Sequence, residues 1–505
     1  MSVRGAAEIG AGLEPARPAR PILPGERIHV VGAQGAGASA AALLAAWAGA
    51  KVDGCDPGGP SQYTPALEAA GIAVAASHDA AHVTHEPYPG RLAVTKALTA
   101  IDPDNAELRA ARSVGIPLEP WQQVVADAAS GRVLIAVAGT HGKSTTSGWL
   151  VHALVGAGGD PGAFVGALLP AAITGIGIAA TARRGSGAEF VVEADEYAGN
   201  FDPYRPDVIV LTSAEWDHPD VFPDGDAVIS AFEAWVRRAS EGREDKDLPV
   251  VLVANTGDAG VAALVRRLGD WSGLVVRTAL DPAPDEVELA GHIVATDPDG
   301  TLLRVALAGE FEHDVRLATA GRHNAANALG VIGACLAAGY EPEAVLAAVA
   351  SFAGVGRRLE RKGEAGGVVV YDDYGHHPTA IRETLAAVRQ REPGRRVWAV
   401  YEPLTYHRTA AMLDAFAEVL AAADAVAIAD IWAGRDPDTT IASAAGLATA
   451  VAERAPGKVS VAPGSVEATA AWLAGAVRGG DVVLVMGGGR SYRISELLLE
   501  HLEAR

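Results

Sequence analysis

The chain has 505 residues, of which 49% are hydrophobic and 20% charged, and its formal net charge is −21. This composition is typical of a soluble globular protein, and the length predicts about three domains because single cores rarely grow that large. The acidic balance argues against nucleic acid as a partner, since the phosphate backbone requires a basic surface. Its longest apolar runs, of about ten residues, are too short to span a membrane, so we expect no membrane partner.

Residues 1–25 contain no apolar segment followed by a cleavage site, as a signal peptide would. We therefore expect a disordered tail and a cytoplasmic protein. The two cysteines, Cys55 and Cys335, lie far apart in the sequence and suggest neither a disulfide framework nor a cysteine-based metal site. Two free thiols in a reducing compartment is the simplest interpretation.

Apolar strand-like runs alternate with alanine-rich helical stretches along nearly the whole chain. Strands that are apolar on both faces and separated by helices are typical of parallel sheets in α/β proteins. Between about 271 and 320 the pattern instead predicts short antiparallel strands. The predicted parallel strands are RIHVVG (27–32), KVDGC (51–55), IAVAA (72–76), RLAVT (91–95), VLIAVAG (133–139), FVVEAD (190–195), DVIVLTS (207–213), VVLVAN (250–255), VVVYDD (368–373), RVWAVY (396–401), AVAIAD (425–430) and DVVLVMGGG (481–489).

These strands form three groups, and each group predicts one α/β domain with a mainly parallel sheet. The breaks fall before the strand that leads to a Gly-Lys loop and after VASFAGVG. We expect a tail at 1–25 and domains at 26–126, 127–354 and 355–505.

The first glycine loop, in RIHVVGAQGAGASAAAL, places Gly32, Gly35 and Gly37 between a strand and a helix. Its spacing is G-x-x-G-x-G and differs from the dinucleotide pattern G-x-G-x-x-G. Such a loop can hold a phosphate or pyrophosphate but does not identify the ligand. A nicotinamide-dependent oxidoreductase is the alternative that depends on this loop, and it leaves the later motifs without a role.

The second glycine loop, AVAGTHGKSTT (136–146), lies between a predicted strand and a predicted helix. The long phosphate-loop pattern would require glycine at Val137. The strand–loop–helix context nevertheless favours phosphate binding, because backbone N–H groups and the helix dipole attract an anion there. Lys143 would bridge the outer phosphates and the Ser144 hydroxyl would reach Mg²⁺. A capped glycine turn is the structural alternative.

Polar residues follow three further segments. Glu193, at the end of FVVEAD, could hold Mg²⁺, although a helix-capping cluster is an equal alternative. In EWDH, His218 stands beside Asp217, and histidine is an unusual Mg²⁺ ligand, so a structural role is favoured from the residues alone. In GRHNAANAL, Asn324 and Asn327 share a helix face and could contact a purine, although capping alone would explain them.

A dense group of ionisable residues lies in GVGRRLERKG and VVVYDDYGHHPTAI, just past a predicted buried strand. Such density at a strand end is hard to explain by structure alone. A histidine metal site is possible in principle, but no third ligand is apparent. The residues are Arg357, Arg358, Asp372, Asp373, Tyr374, His376 and His377.

Taken together, these segments resemble the Mur ligase family, which builds the peptide stem of bacterial cell wall precursors. The resemblance runs from about Arg27 to the last predicted strand. In this family the phosphate loop is the short form G-x-x-G-K-[ST]-T, which Gly139–Thr145 matches. No glycine is therefore expected at position 137, where this chain has valine. The matching segments are IHVVGAQGAGASA, DPDNAELRAARSVGIPL, AGTHGKSTT, EADE, EWDH, GRHNAANAL, GVGRRLE and DDYGHHPTAI.

The resemblance implies a Rossmann-like N-terminal domain, a P-loop ATPase-like central domain and a Rossmann-like C-terminal domain. It implies ATP contacts at Gly139, Thr140, His141, Gly142, Lys143, Ser144, Thr145, Asn324, Arg358 and Asp373. It implies UDP-sugar contacts at Gly32, Gly35, Gly37 and Ser39, and amino-acid contacts at Tyr374, His376 and Arg408. Lys143, Glu193 and His218 would be catalytic, and Ser144, Glu193 and His218 would bind metal.

The implied reaction joins L-alanine to the lactyl carboxylate of UDP-N-acetylmuramate, with ATP and Mg²⁺, through an acyl phosphate. We expect a monomer or homodimer. The sequence departs from the family at Thr405, where the alanine-adding member usually has arginine, and at Ala33-Gln34, Ala38 and Ser213. Glycine or serine as the amino acid, a tripeptide-adding recycling ligase, and a nucleotide-binding scaffold without activity therefore stay open.

Overall fold

A computed structural model describes residues 4–242, 248–281, 287–307, 311–434, 436 and 438–505. Its strands form three separate sheets of five, ten and six strands, and helices cover each sheet. This confirms the predicted three-domain α/β fold with mainly parallel sheets. Within the described ranges, no helix combines the length and the apolar character needed to cross a bilayer.

The first sheet is wholly parallel, with the order β3-β2-β1-β4-β5. From β1 the sheet grows to one side through β2 and β3, and then to the other side through β4 and β5. The first glycine loop follows β1, and open α/β sheets bind ligands at such a switch point. The strands are β1 Arg27–Val31, β2 Lys51–Cys55, β3 Val74–Ala75, β4 Arg91–Val94 and β5 Leu118–Pro120. The helices are α1 Ala6–Ile9, α2 Ala36–Trp47, α3 Thr64–Ala69, α4 Ala81–Thr84, α5 Lys96–Thr99, α6 Ala106–Ser113 and α7 Trp121–Ala128.

The second sheet has a parallel centre in which β6 lies between β10 and β9. Its order is β15-β14-β13-β12-β11-β10-β6-β9-β7-β8. Within the stretch 271–320, β13, β14 and β15 pair antiparallel as the sequence predicts, but β12 pairs parallel with both β11 and β13, which corrects the prediction for that strand. The strands are β6 Val133–Ala138, β7 Gly162–Leu169, β8 Ala180–Arg183, β9 Glu189–Ala194, β10 Val208–Leu211, β11 Val251–Asn255, β12 Leu274–Leu280, β13 Leu289–Asp297, β14 Gly300–Leu307 and β15 Phe311–Leu317. The helices are α8 Lys143–Gly156, α9 Gly225–Ser240, α10 Ala259–Arg267, α11 Arg322–Ala337 and α12 Pro342–Ala350, with 3₁₀ turns at Ala171–Ile173 and Tyr197–Gly199.

The third sheet has the order β16-β17-β21-β18-β19-β20 and is parallel except for β16 at its edge. The strands are β16 Glu360–Ala365, β17 Val368–Asp373, β18 Val397–Glu402, β19 Ala425–Ala429, β20 Val459–Gly464 and β21 Val482–Gly487. The helices are α13 Pro378–Arg391, α14 Tyr406–Ala411, α15 Leu413–Ala421, α16 Ala444–Arg454, α17 Val466–Ala476 and α18 Tyr492–Glu503.

The expected domain boundaries stay predictions. The break between 126 and 127 falls in the last turn of α7, which packs on the first domain through α2 and β4. The break between 354 and 355 falls in the loop between α12 and β16.

The N-terminal segment 4–25 corrects the expectation of a disordered tail. Ile9 is fully buried against Tyr197 and Ala198 of the second domain. The Thr99 hydroxyl donates a 2.6 Å hydrogen bond to the Ile9 carbonyl. This packing could not be predicted from the sequence, because the segment has no clear helix or strand periodicity and its contacts are to residues far along the chain.

Arg17 anchors the same segment on the first domain. Its guanidinium lies 2.7 Å from carboxylate oxygens of both Glu119 and Asp127. Burial raises the pKa of Asp127, but hydrogen bonds from Arg17 and the Arg20 backbone outweigh burial and leave that pKa below its ordinary value. Asp127 also accepts a 2.5 Å bond from the buried Arg91. The segment therefore completes a buried network of charges.

We predict that Arg17→Ala lowers the apparent free energy of unfolding by about 1–3 kcal/mol, because it leaves buried carboxylates short of a donor. Chemical denaturation of the full chain measures this change. The control is Arg454→Ala, which removes an ion pair to the exposed Asp414 and should cost less than about 0.5 kcal/mol. Equal effects of the two substitutions would show that the segment contributes no such anchor.

Candidate active site

The second glycine loop lies between the carboxyl end of β6 and the start of α8, as the sequence predicts. Gly139 and Gly142 have φ values of 135° and 81°, which favour glycine. A Cβ atom on Gly142 would lie 2.8 Å from the Asn327 Oδ1, and one on Gly139 would lie 2.2 Å from the Thr212 Oγ1. Both glycines are thus required by conformation and by space, and the loop presents backbone N–H groups at a helix start.

The middle of this loop is held by the segment that follows β10. The Thr140 N–H donates to the Ser213 carbonyl at 3.1 Å, and the His141 N–H donates to the Ser213 Oγ at 2.8 Å. The His141 imidazole lies 2.9 Å from Glu215. Ser213, one of the departures from the family pattern, therefore shapes the loop directly.

Lys143 reaches into the cleft and is paired with carboxylates from the end of β9. Its Nζ donates to the Gly139 carbonyl at 2.6 Å and to Glu196 at 2.9 Å, and it lies 3.6 Å from Asp195. Burial opposes the charge on Lys143, but Glu196 and Asp195 raise its pKa above the ordinary value. The lysine is therefore held as a cation where an anionic ligand would sit.

Ser144 and Glu193 form a second polar contact beside the lysine. The Ser144 hydroxyl donates to Glu193 Oε1 at 3.0 Å, and the Gly166 N–H donates to Glu193 Oε2 at 2.6 Å. A hydroxyl next to a carboxylate offers the oxygen ligands that Mg²⁺ prefers. Of the three predicted metal residues, these two lie together.

His218, the third predicted metal residue, lies instead with Asp195 and Glu196. One ligand atom of each lies within 4.8 Å of the other two. Sequence reasoning named neither carboxylate, although both belong to the EADE segment at the end of β9. Asp195 and Glu196 are thus candidate cation ligands that the sequence analysis missed.

Arg358 crosses from the third domain to the phosphate loop. Its Nη2 donates a 2.8 Å hydrogen bond to the Ser144 Oγ, and its guanidinium carbon lies 5.1 Å from the centre of the Tyr374 ring. The loop that carries it is fixed by Asp373, whose carboxylate accepts from the Leu359 N–H at 2.7 Å and the Gly375 N–H at 2.6 Å. Asp373 therefore positions the loop and also faces a cavity described below.

Arg357, next in the chain to Arg358, has a different environment. It is buried, its Nε lies 3.0 Å from Asp372, and its Nη2 donates to the Gly487 carbonyl and the Ser491 hydroxyl. The two neighbouring arginines thus have different roles: Arg357 stabilises the third domain, and Arg358 contacts the second domain.

Arg408, His376 and His377 complete the wall of the cleft that the third domain provides. The Arg408 Nε and Nη2 lie 2.9 and 2.8 Å from the Asp217 Oδ1, and Nη2 lies 3.3 Å from the His218 Nδ1. Burial lowers the pKa of His376 well below its ordinary value and lowers the pKa of His377 to about 4. Both imidazoles are therefore neutral at physiological pH.

Thr405 stands where the resemblance leads one to expect arginine. Its side chain accepts a 3.4 Å hydrogen bond from the Arg408 N–H and caps α14, and its φ is 64°. The threonine thus positions the helix that carries Arg408.

Two cavities bring most of the predicted residues together. A cleft of about 640 Å³ between the three domains is lined by Gly37, Thr140, His141, Gly142, Lys143, Ser144, Glu193, His218, Arg358, Tyr374, His376, Thr405 and Arg408. A neighbouring cavity of about 470 Å³ is lined by His141, Gly142, Thr145, Asn324, Asn327, Arg358 and Asp373. The phosphate loop and Arg358 separate these two cavities.

Three of the predicted sugar-nucleotide residues lie outside the walls of both cavities. Gly32 and Gly35 form the turn that follows β1, and the Gly35 N–H donates to the Gly32 carbonyl at 3.1 Å. Ser39 is buried, and its hydroxyl contacts the Ala36 carbonyl and the Thr181 hydroxyl of the second domain. Ser39 therefore joins two domains, and its contact with a ligand stays a prediction.

This fold and site define a multidomain α/β protein in which a glycine loop between a strand and a helix opens onto a cleft shared by the domains. The matching family sequence models describe the Mur ligase catalytic domain at residues 27–132, the Mur ligase middle domain at 137–335, and the Mur ligase glutamate ligase domain at 357–489. The chain belongs to the Mur ligase family.

Individual relatives agree with this assignment. A UDP-N-acetylmuramate–L-alanine ligase of Mycobacterium sp. (strain JLS) is 39% identical over 494 residues, which cover 96% of this chain and 97% of that protein. The solved UDP-N-acetylmuramate–alanine ligase of Thermotoga maritima has a TM-score of 0.75 at 24% identity and covers 95% of this chain and 99% of its own. A murein peptide ligase of Psychrobacter arcticus has a TM-score of 0.70 at 25% identity, with the same coverage.

We predict that the chain loses stability between about pH 6.5 and about pH 4 partly through His377. Its folded pKa of about 4 lies below the ordinary value of 6.5, so in this range the unfolded chain binds a proton that the folded chain does not. Each such group adds a slope of at most about 1.4 kcal/mol per pH unit. Thermal unfolding of His377→Asn should show a shallower slope, and asparagine can still cap α13.

His85→Asn is the control for this prediction, because His85 is an exposed histidine on the first domain. It should keep the slope of the unsubstituted chain. Identical slopes for all three proteins would show that His377 does not exchange its proton on unfolding in this range.

Proposed function

We propose that the chain is an ATP-dependent ligase that joins L-alanine to the lactyl carboxylate of UDP-N-acetylmuramate in peptidoglycan precursor synthesis. The observation that carries this proposal is the meeting of Lys143, Glu193 and Arg358 around one phosphate loop. The alanine-adding relative at 39% identity over nearly the whole chain supports the choice of substrates.

ATP fits the phosphate loop and the smaller cavity. The glycine conformations leave the backbone N–H groups at the start of α8 free of Cβ atoms, and Lys143 and Arg358 bring positive charge from two domains. Asn324 lines the same cavity, with its amide bonded to the Ala320 carbonyl and to Asn327. We propose the phosphates at Gly139–Thr145 and Arg358, and the adenine beside Asn324 and Asp373.

Mg²⁺ fits the oxygen ligands beside the loop. Ser144 and Glu193 would hold one ion, and His218 with the neighbouring Asp195 and Glu196 would hold another. The bound ions would neutralise the charge that develops on phosphoryl oxygens. The cluster of carboxylates supports this assignment, because the single positive charge of Lys143 does not neutralise the negative charges of Glu193, Asp195 and Glu196.

In the first chemical step, the lactyl carboxylate oxygen attacks the γ-phosphorus of ATP. A new phosphorus–oxygen bond forms, the bond to the β-phosphate oxygen breaks, and ADP leaves from an acyl phosphate. This activation is needed because a carboxylate is a poor electrophile. Lys143 stabilises the negative charge on the transferring group.

In the second step, the amine of L-alanine attacks the acyl carbon, phosphate leaves, and one amine proton is released. His376 lies on the cleft wall, but burial lowers its pKa well below the ordinary value and makes it a weak base, so we assign it a contact with the amino acid and give the proton to the departing phosphate or to water. Tyr374 and Arg408 would hold the amino acid. Closure of the third domain onto the second would keep water from the acyl phosphate.

The sugar nucleotide fits the cleft at the first glycine loop. Gly37 lines the cleft, and a Cβ atom there would lie 2.2 Å from the Trp121 ring. We propose that the diphosphate lies against the turn formed by Gly32, Gly35 and Gly37, where the strand order reverses.

A tripeptide-adding ligase is the second candidate, and the murein peptide ligase of Psychrobacter arcticus, alike in fold over 95% of the chain, supports it. It would use the same activation chemistry with a larger amine. The nicotinamide-dependent and inactive-scaffold alternatives give no role to the pairing of Lys143 with Glu196. A cytoplasmic monomer or homodimer without nucleic acid stays a prediction.

We predict that phosphate release from ATP requires UDP-N-acetylmuramate and is fastest with L-alanine. The measurement compares L-alanine, glycine, L-serine and the L-alanyl-γ-D-glutamyl-diaminopimelate tripeptide as acceptors. Preference for the tripeptide would replace the proposed substrate and keep the mechanism. No release with any of them would overturn both.

We predict that Lys143→Ala lowers the rate of phosphate release by about 10²–10³-fold, because it removes a charge that stabilises the transferring phosphoryl group. Ser144→Ala should raise the Mg²⁺ concentration needed for half-maximal rate by about 10-fold or more. Steady-state assays over a range of Mg²⁺ concentrations measure both changes.

Ser147→Ala is the matched control. Its hydroxyl donates to the Lys143 carbonyl one turn further along α8, so its loss leaves the ligand face of the loop unchanged. We expect nearly normal Mg²⁺ dependence for this variant. An equal shift in the Ser144 and Ser147 variants would remove the support for metal binding at Ser144.

A further inference from the structure

A cluster of nitrogen, sulfur and oxygen ligands lies in the first domain, apart from the Gly139–Thr145 loop, and three of its four residues are buried. It consists of His29 on β1, Cys55 at the end of β2, His82 on α4 and Glu107 on α6. One ligand atom from each of the four lies within 4.8 Å of the other three. The proposed ligase chemistry gives none of these side chains a role.

The Glu107 carboxylate lies at the centre of the cluster and is fully buried. It lies 2.8 Å from the His29 Nε2, 2.9 Å from the His82 Nδ1 and 3.1 Å from the Cys55 Sγ. Four ligands on a tetrahedral ion with bonds of about 2.0–2.3 Å would lie about 3.3–3.7 Å apart. A small outward shift of these side chains would therefore open space for an ion.

His29 is oriented as metal-binding histidines usually are. Its Nδ1 contacts the Asp53 Oδ1 at 2.7 Å, which directs Nε2 toward Glu107. That Nε2 is buried and makes no aligned hydrogen bond, although the Glu107 oxygen is close. In metal-binding histidines, one ring nitrogen is usually held by a carboxylate while the other binds the metal. In His29 the first role fits Nδ1 and the second fits Nε2.

We propose that His29, Cys55, His82 and Glu107 form a binding site for a zinc-class divalent metal ion. The mixed set of imidazole, thiolate and carboxylate suits a borderline-soft ion such as Zn²⁺ and disfavours Mg²⁺ or Ca²⁺, which require oxygen ligands. His78, whose Nδ1 lies 3.1 Å from the Cys55 Sγ, stands beside the site as a further nitrogen.

The site is joined to the first glycine loop through the backbone of Cys55. The Cys55 carbonyl accepts hydrogen bonds from the Gly32 N–H at 2.8 Å and the Ala33 N–H at 3.2 Å. An ion held by the Cys55 side chain would fix the strand end on which that loop rests. We assign the site a structural role in holding the first domain, because all four ligands come from the protein and a structural zinc site is closed in this way.

Without metal, the cluster is an ion pair. The His29 imidazole lies between the carboxylates of Asp53 and Glu107, with nitrogen–oxygen distances of 2.7 and 2.8 Å. Metal binding displaces the protons held in these contacts and the Cys55 proton, because metal ligands bind in their deprotonated forms.

The test uses the full chain, treated with chelator, desalted and titrated with Co²⁺, followed by competition with Zn²⁺. We expect a thiolate-to-cobalt charge-transfer band in the near ultraviolet whose intensity corresponds to one cobalt ion per chain, whatever cobalt binds elsewhere, and loss of that band on adding zinc. In the part of the chain that the structure describes, the two other groups of candidate ligands, at His218 and at His141, contain no sulfur, so cobalt bound there gives no such band.

Cys55→Ala should abolish the charge-transfer band, and His82→Ala should weaken cobalt binding by about 10-fold or more. His82 is partly exposed, so its substitution provides the test if Cys55→Ala does not fold. His85→Ala, which removes an exposed histidine beside α4, is the control and should bind as the unsubstituted chain does. Absence of the band at saturating cobalt, or equal binding by all variants, would show that the cluster is only a buried ion pair.

Discussion

The charge on Lys143 is the constraint around which the cleft is arranged. A largely buried ammonium group is stable only when opposite charge and hydrogen-bond acceptors surround it. The Gly139 carbonyl, Glu196 and Asp195 supply them. Because β9 lies beside β6 in the sheet, its end delivers these carboxylates to the same edge as the phosphate loop. The strand order therefore places the acidic cluster beside Lys143, and this cluster in turn stabilises the charged form of the lysine.

The third domain meets this cleft through polar contacts. Arg358 binds Ser144, Arg408 binds Asp217, Thr379 donates to Glu215, and His377 contacts the Trp216 carbonyl. Polar interfaces between domains permit relative motion more readily than large apolar ones. A polar interface of this kind is compatible with the domain closure that the proposed reaction requires.

The fold could be predicted from the sequence because apolar strands alternate with helices. The same pattern explains why Lys143, Ser144 and Glu193 lie together, since the ends of parallel strands meet at one edge of the sheet, although their roles stay predictions. The sequence did not reveal what depends on contacts between distant segments. The sequence alone did not single out Asp195 and Glu196, because a short acidic run has many explanations. Only the structure shows that both carboxylates contact Lys143. The packing of Ile9 and Arg17, the turn of Ser39 toward Thr181, and the different fates of Arg357 and Arg358 have no local signal at all.

Asp217 links the two chemical ends of the cleft. It binds Arg408, and Arg408 in turn contacts His218. Burial raises the pKa of Asp217, but the charge of Arg408 holds it well below its ordinary value. If Arg408 binds the carboxylate of the amino acid, as we propose, it would have to contact Asp217 as well, because Thr405 occupies the cap of α14. A metal ion held at the proposed ligand His218 would then lie next to the same guanidinium, so the two proposed binding events would be coupled through the Arg408–Asp217 pair.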